Sequence, residues 1–356
     1  MRNNMEMALK NREWKEFFLN DIFSNIQRGK RLKKGDHKKG NMPYVSSSAK
    51  NNGVDNYIGN TEKVRVFSNC LSLANSGSIG SCFYQPFKFV ASDHITKLEN
   101  GEFNKYILLF LSTIISRLGE KYSFNREMND TRVNREKILL PITSKGEPDY
   151  SFMEVYMREK EHEKIKTYTN YIAKRIRELE NIKKVVLLTE KEWNEFEIGK
   201  MFELVQGKSK GLNHLIKTNT GVNYLGATNL NNGVLCQVKK EQGLMQKGNS
   251  IAFIRNGEGA MGFSVYKAEN FIATSDISVG YSPNLNKYVG TFITTVADTV
   301  RGKYNFGYKR SGKRLIKEKI MLPINKNKEP DYEYMENYMK LIELNKLRKY
   351  LKYKNV

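Results

Sequence analysis

The sequence predicts an α/β fold: two similar domains, each followed by a long helix. Three observations carry that reading. The stretch from Glu13 to Met157 recurs from Glu192 to Met339 with its order kept, Trp14 answering Trp193 at a shift of 179 and Pro148 answering Pro330 at a shift of 182. Within each copy, short β-rich runs alternate with Gly, Asn and Ser turns. After each, apolar residues recur at threes and fours between charges. A unit of this length is too long for a solenoid repeat and suits a globular domain with its own core.

Taken in chain order, "EWKEFFLNDIF" at 13–23 opens the first copy and "EWNEFEIGKMF" at 192–202 the second. Trp14 and Trp193 are most simply core anchors, with docking of a partner as the other role. The runs "CLSLANSGSIGSCFYQPFKFVAS" at 70–92 and "SIAFIRNGEGAMGFSVYKAENFIATS" at 250–275 read strand, turn, strand, a hairpin in each domain. "EKILLPI" and "EKIMLPI" close the copies, and Pro-Asp-Tyr follows each. There Asp149 and Asp331 suit helix caps, and Glu154 and Glu336 suit the positive helix end.

The first long helix is predicted from about 150 to 188. Its apolar stripe is Met153, Met157, Ile165, Tyr168, Ile172, Ile176, Leu179, Ile182 and Val186. The second runs from 332 to the end, with Met335, Tyr338, Leu341, Leu344, Arg348 and Leu351. Neither stripe is stable unburied, so the economical arrangement packs the two helices as a coiled coil within the chain; pairing between chains is the competing one. Met1 aligns with Glu180 and Val356 with Lys174, so the repeat nearly closes on itself. Residues 1–12 and 331–356 then become two pieces of one interrupted second helix, flanking domains at 13–148 and 192–330 and a first helix segment at 149–191.

Sixty Lys and Arg against 38 Asp and Glu give a formal charge of +22, an electrostatic footprint suited to nucleic acid. No apolar run reaches about 18 residues and no signal peptide opens the chain, so a cytoplasmic protein away from membranes is expected. Cys70, Cys82 and Cys236 show no CxxC spacing, which argues against a disulfide framework and a zinc site.

Charge concentrates in two places. "RGKRLKKGDHKKG" at 28–40 carries Arg28, Lys30, Arg31, Lys33, Lys34, Lys38 and Lys39 against Asp36, with glycines that mark a loop. Lys208 and Lys210 stand at the matching place of the second copy. "RGKYNFGYKRSGKRLIKEK" at 301–319 includes Lys303, Lys309, Arg310, Lys313 and Arg314 against Glu318, with Tyr304, Phe306 and Tyr308 interleaved, and answers 120–137, which holds Arg126 and Arg132. Cationic loops follow phosphates and give affinity without sequence information. Base readout needs forked donors and acceptors in turns. Ser47, Asn51 and Asn52 match Thr228, Asn231 and Asn232; Asn75 and Ser76 match Arg255 and Asn256. Asp93 and Asp276 can accept from cytosine or cap turns. His94 has no counterpart.

Two motifs fail on context. "GEGAMG" at 257–262 matches a dinucleotide fingerprint, but "FSVY" after it reads as strand, so no helix N-terminus faces a phosphate. A methylase needs an Asn/Asp-Pro-Pro-aromatic site, and no Pro-Pro occurs among the seven prolines; no nuclease Glu-x-Lys follows either Pro-Asp. No catalytic residue, cofactor or metal site is assigned.

Two basic α/β domains, each followed by a helix opening "LPI…PDY…M", in a cyclic pseudo-repeat, resemble the specificity (S) subunit of type I and related restriction–modification systems. The resemblance implies two target recognition domains, each reading part of a split DNA site, on two long antiparallel helices that set the gap in a cyclic pseudo-two-fold arrangement. It implies two methyltransferase subunits docked on the helices at residues such as Ile165, Tyr168, Ile172, Ile176, Leu179, Met335, Tyr338, Leu341 and Leu344. S-adenosylmethionine is then bound by those partners, restriction subunits can join in a type I complex, and a type IIB complex is the other assembly. A self-contained methylase or nuclease, and a basic RNA-binding scaffold, are the alternatives from other classes.

Overall fold

The computed structural model describes residues 9–122, 126–183 and 185–354. The chain divides into two compact units whose boundary, between Tyr168 and Thr169, falls inside the first long helix.

In the first unit β1 (Trp14–Phe18) pairs antiparallel with β10 (Lys137–Pro141), Trp14 opposite Pro141. One sheet has the order β2-β9-β6-β7, from Asn25–Arg28, Ile95–Glu99, Cys70–Ala74 and Cys82–Gln85. A second has the order β4-β3-β8-β5, from Val54–Ile58, Lys39–Val45, Phe89–Ala91 and Val66–Phe67, with β3 and β8 parallel. The hairpin expected at 70–92 is the antiparallel pair β6 and β7. Every residue of β6 is buried, because Val45, Cys70, Ala74, Phe89 and Ile95 form one core while Leu71 and Leu73 join another beneath helix α2 (Lys105–Ser116). A strand covered on both faces reads as an apolar run, as "CLSLA" does. Two short helices complete the unit, α1 (Leu19–Ile22) and α3 (Asp130–Arg135), before the long α4 (Tyr150–Leu179).

The second unit repeats the topology strand for strand. β11 (Trp193–Glu197) pairs with β20 (Lys319–Pro323). The sheets are β12-β19-β16-β17 (Glu203–Gln206, Ile277–Tyr281, Ser250–Ile254, Ser264–Lys267) and β14-β13-β18-β15 (Val234–Val238, Lys217–Leu225, Phe271–Ala273, Met245–Gln246). Helices α5 (Ile198–Met201), α6 (Lys287–Ala297), α7 (Gly312–Lys317) and α8 (Tyr332–Lys354) stand where α1 to α4 do.

Both long helices begin at the expected caps. Asp149 Oδ1 accepts from the Phe152 amide at 2.9 Å, and Asp331 Oδ1 from the Tyr334 amide at 3.0 Å. Each helix is then tied to its own domain by a duplicated polar clamp. In the first unit Glu161 receives Lys105 Nζ at 2.9 Å and Tyr106 Oη at 2.8 Å. In the second, Glu343 receives Tyr288 Oη at 2.8 Å and lies 3.4 Å from Lys287 Nζ, with Arg175 Nε at 2.7 Å as an added donor from α4. The second unit shows the helices antiparallel: Arg175 meets Glu343, and eight positions on Lys183 meets Glu333.

The expected extent of the first helix, to 188, is corrected. α4 stops at Leu179, and Glu180 and Asn181 form a turn although Ile182 and Val186 continue the periodicity. The chain must reach β11, and Tyr334 Oη of α8 donates to the Val186 carbonyl at 3.1 Å, so that acceptor is satisfied outside a helix. The core-anchor expectation holds for Trp193, which is half-buried, packs against the second core and stacks on Phe292 with ring centroids 6.2 Å apart, but not for Trp14. Trp14 is 37% exposed, and each indole donates to the carbonyl five residues earlier, Leu9 and Leu188. Residues 1–8 and 355–356, on which the near closure of the repeat turns, lie outside the described residues.

Burial works to raise the Glu343 carboxyl, but hydrogen bonds from Arg175 and Tyr288, with Lys287 nearby, outweigh it and hold it at about 2. A carboxyl lowered on folding adds stability above its unfolded value and loses it as pH falls. Replacing Glu343 by Gln should therefore cost about 1–2 kcal/mol at pH 7 after solvent screening. Urea unfolding between pH 5 and 2 should show a correspondingly shallower loss in the variant than in the native chain; equal slopes would refute the clamp's contribution.

Candidate nucleic-acid interface

Turns distant in sequence meet at one edge of the first unit. Arg28 Nε donates to the Asp93 carbonyl at 2.5 Å and the Lys30 amide to Ala91 at 3.1 Å, which roots the basic loop on the turn between β8 and β9. The Ser78 amide donates to Ser47 at 3.2 Å, the Asn75 amide to His94 at 3.0 Å and the Met128 amide to Asn75 at 3.0 Å. The second unit has the same stitching. The Gly207 amide donates to Ile277 at 2.9 Å, the Ser209 amide to Ala273 at 3.1 Å and the Arg255 amide to Asp276 at 2.8 Å. Gly262 and its counterpart Gly80 take φ of 92° and 85°, and a Cβ on Gly262 would lie 2.7 Å from Arg301 Cβ, so both hairpin turns press against the segment before α7 or α3.

The expected cations divide by exposure. Lys30, Arg31, Lys33, Lys34, Lys208, Lys210, Lys303, Lys309, Lys313, Arg126, Arg132 and Arg314 are exposed. Arg132 and Arg314 fold back alike onto carbonyls five residues earlier, Glu127 and Lys309. The Arg314 guanidinium lies 3.8 Å over the Tyr308 ring, and Arg126 lies 5.6 Å over Tyr122.

Arg310 is the main correction. It is fully buried, pairs through Nη2 with Glu318 Oε1 at 2.5 Å and donates to the Gly262 and Phe263 carbonyls at 3.1 and 3.2 Å. Its counterpart, 182 positions earlier, is Met128, also fully buried. The position belongs to the core, and the signal was the methionine in the other copy.

Several expected base readers are likewise structural. Asn75 and Ser76 are 2% and 3% exposed; Asn75 bonds Thr96 at 3.1 Å and Ser76 meets His94. Asn51, Asn52, Asn231 and Asn232 all adopt positive φ in matching turns and all are exposed, with Asn52 and Asn232 also donating to the Tyr84 and Tyr266 carbonyls at 3.2 Å. Asp276 Oδ1 accepts from Asn256 at 3.1 Å, while the Asp276 amide donates to Thr274 Oγ1 at 3.0 Å, so Thr274 rather than the carboxylate caps this turn. Asp93 and Thr228 are half-buried at the same edges. Burial holds the Arg255 guanidinium below its ordinary value, with Asp276 opposing, and Arg255 also donates to the Ser275 carbonyl.

Of the expected docking positions, Ile172, Leu179 and Leu344 are buried, while Ile165, Ile176, Leu341 and Tyr338 are half-buried and Tyr168 is 44% exposed. Met335 is fully buried in the second unit's core, where Tyr338 also packs, so Met335 is no surface for a partner. What the sequence reading missed is the clamp of Glu161 and Glu343, visible as polar residues at matching places in both copies.

The family profile described as type I restriction modification DNA specificity domain matches residues 11–169 and again 190–352. The chain belongs to that family. Its two halves are DNA specificity domains of the restriction–modification type. The chain is 38% identical over 157 residues to the type II restriction enzyme specificity subunit S.BcgI of Heyndrickxia coagulans, a match over 44% of this chain and 46% of that protein. It thus spans under half the length of that relative. A type I restriction–modification S subunit from M. genitalium shares the fold at a TM-score of 0.51 and 14% identity, covering 96% of this chain and 93% of that one. The HsdS subunit from Thermoanaerobacter tengcongensis gives 0.32 at 13% identity, over 94% and 91%. Among the described residues no helix is long and apolar enough to cross a membrane.

The division between Arg310 and Arg314 is testable. Arg310→Ala leaves the buried Glu318 charge without its cation and should destabilise the chain by about 3–5 kcal/mol in urea unfolding. Arg314→Ala should leave the urea midpoint near the native value and reduce the salt slope of DNA binding by about 0.9. An Arg310→Ala protein of native stability with weakened DNA binding would reverse the assignment.

Proposed function

We propose that this chain is the DNA-recognition subunit of a restriction–modification complex and carries no catalytic group of its own. Each half reads one part of a split double-stranded site, and the long helices set the gap between the parts. The observation that carries the reading is the duplication: two specificity domains of identical topology, each with exposed cations beside the edge where its turns converge. A formal charge of +22 supports a polyanionic partner.

Methylation then belongs to two methyltransferase subunits docked on the helices, which bind S-adenosylmethionine, and cleavage belongs to partner subunits in the cytoplasm. Because the curated relative is named as a type II specificity subunit, a type IIB assembly stands beside a type I complex with separate restriction subunits. Purified chain incubated with DNA, S-adenosylmethionine and magnesium should neither methylate nor cut; either activity without partners would contradict this reading.

α8 has 23 residues, about 35 Å at 1.5 Å per residue and close to one DNA turn of about 34–36 Å. Inserting four helix-forming residues between Lys166 and Thr167 lies clear of both clamps and adds about 6 Å, near two base-pair steps. The reconstituted complex should prefer a gap longer by about two base pairs, or lose recognition, with the bases read by each half unchanged. An active complex with the original gap would refute the helices as ruler.

A further inference from the structure

The second unit holds a feature that phosphate contacts do not explain. Phe306 is 83% exposed at the tip of a tight turn. Asn305 Oδ1 accepts from the Gly307 and Tyr308 amides, both at 2.9 Å, and Asn305 and Tyr308 bridge through their backbones. The turn stands on a rigid base. Tyr304 and Tyr308 stack with ring centroids 6.1 Å apart and planes 13° apart, Arg314 lies over the outer ring, and the Tyr304 hydroxyl donates to Glu318, itself paired with buried Arg310. Arg301, Lys303, Lys309, Lys313 and Arg314 around it are all exposed. A cavity of about 630 Å³, with Gly257, Gly259, Met261, Phe263 and Arg301 in its walls, borders the ring, and the Lys309 ammonium lies 5.3 Å from the ring centroid.

A benzyl side chain offers no hydrogen bond to a phosphate or a base edge. Set among five cations that draw in the DNA backbone, it is brought against the duplex, where the bases offer it apolar faces on which to stack. The narrow tip suits the minor groove, about 6 Å wide, where apolar wedges enter base steps and kink the duplex. We propose that Phe306 is such a wedge, inserted by the second domain into a base step of double-stranded DNA and adding specificity through the deformability of that step. This rests on the reading of the chain as a DNA-recognition subunit.

The full chain is used to enrich duplexes from a randomised pool, and 2-aminopurine is then placed at successive positions of the enriched sequence. One step should brighten several-fold on binding to the native chain and to Phe306→Leu, and stay dark with Phe306→Ala, whose affinity falls about tenfold or more at an unchanged urea midpoint. Brightening that survives Phe306→Ala, or no brightening on a bound duplex, overturns the wedge and leaves the DNA reading standing. So does a Phe306→Ala defect matched by one thymine-to-uracil change, which would mark a methyl contact. A pool that enriches no sequence overturns the DNA reading and the wedge with it.

Discussion

Each half of the molecule is held shut by one carboxylate. Asp149 caps α4 with one oxygen and receives Arg12 Nη1 on the other at 2.8 Å; Asp331 caps α8 and receives Lys191 Nζ at 2.6 Å. The cation comes from just before the first strand of the domain and the acid from just after its last. The same carboxylate therefore fixes where the domain begins, where it ends and where its long helix departs. The cations also lie over rings of the first helical turn, Arg12 4.3 Å from the Phe152 centroid and Lys191 4.9 Å from that of Tyr334. With Trp14 opposite Pro141 and Trp193 opposite Pro323, the paired strands complete a frame that both halves share.

On that shared frame the halves differ at the tips. Glu136 and Glu318 occupy matching places and both accept from a tyrosine, Tyr122 or Tyr304. In the first half Glu136 is also met by Lys121 at 3.2 Å and Met128 fills the core; in the second Arg310 fills it and neutralises Glu318 directly. One buried position thus carries an apolar residue in one copy and a paired charge in the other. A buried charge is retained only with full compensation, and Arg310 has it from Glu318, two carbonyls and Ser264. The consequence is local: the turn at 304–308 gains a stiff base.

Much of the frame was legible in the sequence. The repeat, the strand pairs of the hairpins and the caps at Asp149 and Asp331 rest on local chemistry that residue type reports directly. The end of α4 was not, because Ile182 and Val186 keep helical spacing while tertiary demands, the path to β11 and the Tyr334 hydroxyl on Val186, stop the helix at Leu179. Arg310 misled for a related reason. Within a run of eight cations nothing marks the buried one, and only its alignment with Met128 separates it from Arg314. Asn52 and Asn232 reveal a third limit, since Asn-Asn-Gly suits both a base-reading tip and a turn in positive φ anchored to a strand distant in sequence.

On the proposed reading, two domains with one frame and separate tips serve as two readers on one chain. The most direct test is a map of methylated bases in the genome of a cell carrying this chain and its modification partners, compared with the same cell lacking the chain. The account predicts a motif in two defined parts separated by a fixed run of unspecified bases, absent when the chain is removed. A single uninterrupted motif, or one that persists without the chain, would contradict it.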